Sequence, residues 1–129
     1  MLAIDTNLIV RYLTRDHPAQ TKAAQALIDG NDVFVCITVF LETEWVLRSI
    51  YGFAPQRIAA ALAAFAGLPR VTVENPAAVA KALGWMIRHV DFADALHLAT
   101  ARDCEAFVSF DRTFVKTANA LGDLKVRTP

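Results

Sequence analysis

Cysteine is scarce. Cys36 and Cys104 are the only two in 129 residues, and their placement has no metal-type spacing. That excludes a disulfide framework and a thiolate zinc cage, and two reduced thiols in a cytoplasmic protein are the expectation. Long apolar runs are missing as well. The longest uncharged stretch, residues 58–69, is too short to cross a bilayer and is rich in alanine. Asp5 interrupts the start of the chain, so no basic-then-apolar leader is read there, and no membrane partner is expected. Nor does charge of one sign dominate. Thirteen basic and thirteen acidic side chains cancel, which removes global attraction for nucleic acid but leaves room for a local basic rim.

Apolar residues, by contrast, make up 55% of the chain. That is high for a small soluble domain and implies a sheet covered on both faces, with apolar surface left over for another protein. Residues 2–4 read as a short apolar strand and 7–14 as a helix with Leu8, Ile9, Tyr12 and Leu13 on one face. Pro18 opens a second helix to about residue 28, before a turn at 29–32. Residues 33–37 form the second strand, and Thr38 is the expected N-cap of a helix from 39 to about 51, closed by Gly52. Pro55 opens a helix over 56–66 that is uncharged beyond Arg57, so little of it should face water. Residues 71–73 are the third strand, and Pro76 starts a helix to about residue 89. Asp91 caps another helix over 92–102. A strand at 106–109, a helix at 112–121 and an edge strand at 124–126 complete the chain. The alternation predicts an α/β fold with a central, mainly parallel sheet, built as one domain over residues 1–129.

Acids stand where this pattern changes from strand to helix. Asp5 follows the first strand, Glu42 lies beyond the second, Asp111 follows the fourth, and Asp94 lies in the first turn of its helix. Right-handed crossovers place such exits on one edge of a parallel sheet, where open α/β folds bind ligands. Carboxylates gathered there repel one another: a pair ~4 Å apart at an effective dielectric near 20 is unfavourable by about 4 kcal/mol. A hard cation, Mg2+ or Mn2+ rather than Zn2+, would relieve that repulsion and suit phosphodiester hydrolysis. Taken singly, each acid also has a plain structural reading: Asp5 as an N-cap, Glu42 as a first-turn acid, Asp111 as a turn residue and Asp91 as a cap.

The segments Ile4-Asp5-Thr6-Asn7, Leu41-Glu42-Thr43-Glu44-Trp45-Val46-Leu47, Asp91-Phe92-Ala93-Asp94-Ala95-Leu96 and Val108-Ser109-Phe110-Asp111 resemble, in order, the four motifs of PIN-domain ribonucleases. Among these the chain is most similar to the VapC toxins of bacterial toxin–antitoxin pairs. The resemblance implies a PIN-like three-layer sandwich with helices on both faces of the sheet. It makes Asp5 and Asp94 the principal ligands of Mg2+ or Mn2+, Glu42 and Asp111 the further catalytic acids, and Ser109 an orienting hydroxyl. RNA as substrate, a cognate antitoxin and a homodimer are implied as partners.

Several residues carry two readings. Asn7, Asp91 and His97 are candidates for site support. Glu44 points about 200° away from Glu42 on a helix, and His97 shares the face of Asp94 but is commonly a partly buried helix histidine. Arg11, Arg15, Arg112 and Lys116 lie on the two helices leaving the Asp5 and Asp111 exits, either as a phosphate-gripping rim or as solvated charges. Trp45 and Trp85 read as core or interface residues. Helix 56–66, with Leu62, is the expected dimer surface, together with Trp45, Val46 and Ile50. Competing functions are a non-catalytic PIN-type RNA- or protein-binding scaffold and an acid-pocket phosphatase. The phosphatase would need a second Asp where Asn7 stands, and a receiver domain would need an Asp after residues 71–73.

Overall fold

The structure, a computed structural model describing residues 1–129, divides into two compact units, Met1–Pro76 and Ala77–Pro129. Seven helices alternate with five strands, and every strand pairing is parallel. No helix is long and apolar enough to cross a membrane.

The first unit contains β1 (Leu2–Ala3), α1 (Thr6–Thr14), α2 (Pro18–Gly30), β2 (Val33–Val35), α3 (Ile37–Ser49), α4 (Pro55–Ala66) and β3 (Val71–Val73). Its sheet runs β1-β2-β3, with Leu2 opposite Val33 and Val33 opposite Val71. Parallel neighbours cannot be joined by a tight turn, so each connection is a pair of helices. Ile9, Val10, Ile28, Val33, Val35, Phe40, Leu47, Ile58, Leu62 and Phe65 are buried, and the Tyr12 ring packs edge-on against Phe65 at 5.6 Å. Beyond α3, Gly52 takes φ 69, a turn that returns the Phe53 N–H to the Leu47 carbonyl at 3.0 Å.

The second unit contains α5 (Pro76–Met86, whose first residue closes the first unit), α6 (Phe92–Thr100), β4 (Phe107–Val108), α7 (Arg112–Leu121) and β5 (Val126–Arg127). β4 and β5 form a parallel ladder, with Phe107 opposite Val126. Asn119 of α7 fixes that ladder, donating to the Val126 carbonyl at 2.6 Å and accepting the Val126 N–H at 2.9 Å.

The structure corrects several sequence expectations. α3 begins at Ile37, so Thr38 lies inside the helix and Cys36 is the N-cap, without a side-chain capping bond. A carboxylate distant in sequence supplies that bond instead: Glu74 Oε1 accepts the Ile37 N–H at 3.0 Å. α2 continues through Asp29 and Gly30. α5 stops at Met86, where His89, at φ 69, turns the chain. Leu62 is 0% exposed and belongs to the core, whereas Ala60, Ala63 and Ala64 form the outer face of α4. The apolar surplus of that helix is therefore inward leucine and phenylalanine plus outward alanine, and not an uncovered Leu62 surface.

Candidate functional site

In the first unit, the exits of three parallel strands share one sheet edge. Asp5 follows β1 as the N-cap of α1, its Oδ1 accepting the Thr6 N–H at 2.8 Å. That bond stabilises the carboxylate at the positive end of a helix and leaves its second oxygen available. Asn7 is exposed in the first turn. Thr6 is 3% exposed, and its Oγ1 is the one buried side-chain polar atom in the chain without a hydrogen-bond partner. Glu74, after β3, completes the edge through its bond to α3.

On α3, Glu42 and Glu44 separate as their spacing dictates. Glu42 is exposed in the second turn and not in the first. Glu44 is 2% exposed and paired with Arg48, 2.9 Å from Nε to Oε2. Glu44 is thus a structural acid, and Glu42 is the one that faces outward. Trp45, three residues on and 52% exposed, shares the Glu42 face.

In the second unit, Asp91, Asp94 and Asp111 line one cleft of about 200 Å3 with His89, Val90, Thr113, Phe114 and Thr117. Three local hydrogen bonds set its geometry. Asp91 caps α6, accepting the Asp94 N–H at 3.1 Å. Asp111 caps α7, accepting the Phe114 N–H at 3.0 Å. Ser109 Oγ accepts the Asp111 N–H at 3.1 Å, fixing the approach to that cap. Asp94 carries the electrostatic consequence. Burial pushes its carboxyl above the usual 3.8, and the charge of Asp91 pushes the same way. His97 pulls it down, and Asp111 adds a further upward push.

The remaining sequence candidates divide. Ser109 touches Asp111 directly, and Arg112 is exposed in the first turn of α7. Lys116 is exposed about a turn further along. His97 is exposed and not partly buried, and acts on Asp94 through its charge. Arg11 is engaged elsewhere: its guanidinium donates to Gln20 at 2.8 Å, Asp16 at 2.9 Å and the Tyr51 hydroxyl at 3.2 Å. Arg15 is the C-cap of α1. With a rise of about 1.5 Å per residue, it stands roughly 15 Å from the Asp5 end of that helix. Arg11 thus ties α1 to Gln20, Asp16 and Tyr51, whereas Arg15 closes the helix through its backbone and keeps an exposed side chain.

Glu74 at the first-unit edge, and His89, Thr113 and Thr117 in the cleft, join the residues the sequence motifs mark. Glu74 had the same signal as Asp5, an acid directly after an apolar strand. His89 was hidden because the preceding helix reads as continuing through it.

No three His, Cys, Asp or Glu side chains are gathered closely enough to form a ready-made metal cage. The cleft donors are nevertheless hard carboxylate oxygens bearing negative charge, offset at Asp94 only in part by His97. Mg2+ is commonly held by one or two carboxylates while keeping several waters, so the donor chemistry fits such an ion and does not fit a Cys/His zinc site.

Comparison with curated proteins finds no match, and comparison with solved structures finds none either. The family comparison does: the model described as PIN domain matches residues 2–120. With an α/β fold of parallel strands and seven helices, consistent with the PIN-like sandwich, the chain belongs to the PIN domain family.

Proposed function

We propose that this chain is a metal-dependent endoribonuclease that hydrolyses RNA phosphodiester bonds, and that it is the toxin of a VapC-type toxin–antitoxin pair. PIN domains are generally nucleases. The observation that carries the catalytic reading is Asp94, whose carboxyl is raised by burial and by its acidic neighbours in a cleft shared with Asp91 and Asp111. A site that concentrates like charge at a stability cost is a functional candidate on physical grounds. A non-catalytic scaffold would gain nothing from it.

In this reading Asp5, Glu42, Asp94 and Asp111 are the acids on which cleavage depends, with Asp5 and Asp94 as the principal ligands of Mg2+ or Mn2+. When bound, the cation supplies positive charge against the phosphate and eases deprotonation of the attacking water. The protein holds its acids in place by local bonds: Thr6 N–H on Asp5, Asp91 beneath Asp94, and Ser109 before Asp111. Asn7 and His97 support the site, and Arg112 and Lys116 attract the RNA backbone. The domain spans residues 1–129, works in the cytoplasm and pairs as a homodimer. Trp45 and Ile50, 52% and 67% exposed on and just beyond α3, supply the apolar surface for self-association or antitoxin binding.

The test is cleavage of single-stranded RNA by the purified chain with Mg2+, Mn2+, Ca2+ or excess chelator. Cutting with the first two, little with Ca2+ and none in chelator is expected, because calcium's longer, looser coordination positions water less well. Full activity in chelator would point to a metal-independent ribonuclease.

A further inference from the structure

Phe110 is 87% exposed, the most exposed large apolar side chain in the chain. Nearby phenylalanines behave differently: Phe107 and Phe114 pack edge-on against each other at 5.6 Å. Both chain neighbours of Phe110 are pinned. The Ser109 N–H donates to the Arg127 carbonyl at 3.0 Å, and the Asp111 N–H donates to Ser109 Oγ while the Asp111 carboxylate caps α7. The backbone therefore holds an apolar ring out in water on a defined platform directly before a cleft acid. Val108, two positions back along the same extended segment, is also exposed, so the ring extends an apolar patch bordered by polar residues, the kind of surface that marks an interaction site.

We infer that Phe110 is a stacking platform for an unpaired RNA base beside the scissile phosphate. The inference rests on the ribonuclease reading. An aromatic face takes any base, but only one outside a duplex stack. The surroundings favour nucleic acid over a protein occupant. Asp111 and Arg112 follow in sequence, Lys116 lies about a turn along α7, and Arg127 stands opposite Val108 in the ladder. The cations on the elements that flank the ring suit a base with its phosphates, whereas the centre of a protein interface is depleted of charge. Arg112, the first residue of α7 and two positions after Phe110, supplies a cation for an adjoining phosphate.

The experiment uses the full chain and a single-stranded RNA oligonucleotide carrying 2-aminopurine at successive positions, in chelator so that binding is read without cutting. The wild type should quench the fluorophore strongly at one position. Phe110→Ala should lose that quenching and bind about 5- to 100-fold more weakly, the scale of one stacked base. Phe110→Trp should retain both, and Phe110→Leu should behave like alanine while keeping apolar bulk. A fully paired duplex should give no quenching. Unchanged binding and quenching in Phe110→Ala, with the wild type still cutting RNA in Mn2+, would overturn the stacking role and leave the ribonuclease reading intact. Unchanged RNA binding with altered sedimentation would also overturn it, assigning the ring to a protein interface. A wild type that neither binds nor cuts RNA would bring down the ribonuclease reading itself, and this inference with it.

Discussion

The Asp91 carboxylate accepts the backbone N–H of Asp94 at 3.1 Å, so the residue that caps α6 also sets a second negative charge beside the carboxyl it helps position. Capping favours an acid at that point, while Coulomb repulsion makes Asp94 harder to ionise. The two effects draw opposite responses from pH and from substitution.

Because Asp94 titrates above 3.8 in the folded chain, the fold binds that proton more tightly than the unfolded chain does. The resulting stabilisation is fully present below pH 3.8 and is lost as pH rises through the folded value. Asp94→Asn removes the charge without disturbing the backbone bond to Asp91. The variant should therefore melt above the wild type at pH 7, and the gap should close by about pH 3. Thermal unfolding followed by circular dichroism at both pH values reads this directly. A variant less stable than the wild type at neutral pH would mean that Asp94 is held by a favourable partner.

Asp16 shows the opposite shift. The Tyr51 hydroxyl donates to its Oδ2 at 2.6 Å, and this bond, ahead of those from Thr14 and Arg11, brings the carboxyl down to about 2. Its contribution is present above 3.8 and is lost as pH falls through about 2. Tyr51→Phe should move the Asp16 titration upward in a carboxyl-resolved NMR experiment, while Arg11, losing its bond to the Tyr51 hydroxyl, keeps those to Gln20 and Asp16. An unmoved titration would transfer the shift to Arg11.

The two glutamates of α3 should separate by experiment. Arg48→Met leaves the buried Glu44 carboxylate without its 2.9 Å partner. The expected cost is about 1–3 kcal/mol in urea unfolding, below the 3–5 kcal/mol of a fully buried pair because Arg48 is half in solvent. Glu42→Gln should leave stability within about 0.5 kcal/mol, as for an exposed site, and abolish cleavage. Equal stability losses in both variants would erase the distinction.

Much of this was legible in the sequence because local chemistry decided it. Pro18, Pro55 and Pro76 open helices where proline's fixed φ is suited, and Asp91 caps the helix it was expected to cap. What was not legible is tertiary. The α3 N-terminus looked as though it needed Thr38, because nothing local reveals that Glu74, 37 positions away, reaches Ile37. Leu62 looked like interface because composition counts apolar residues without saying which way they point. Arg11 looked free because its Tyr51 and Asp16 partners meet only in the fold.

That correction to Leu62 changes the assembly test. Leu62→Ala should cost about 2–5 kcal/mol, as a buried leucine does, so a charged substitution there would unfold the chain and say nothing about dimers. Trp45→Arg and Ile50→Glu, at exposed positions, should keep the fold and convert a light-scattering dimer to monomer. A dimer that survives both would move the interface off α3.

The most direct test is RNA cleavage by folded, metal-loaded Asp94→Asn beside the wild type. Loss of about 100-fold or more in rate is expected, the scale of removing a group that acts on the reacting atoms, with the melting temperature maintained or raised at pH 7. Undiminished cleavage by the folded variant would contradict the assignment of Asp94 to the site.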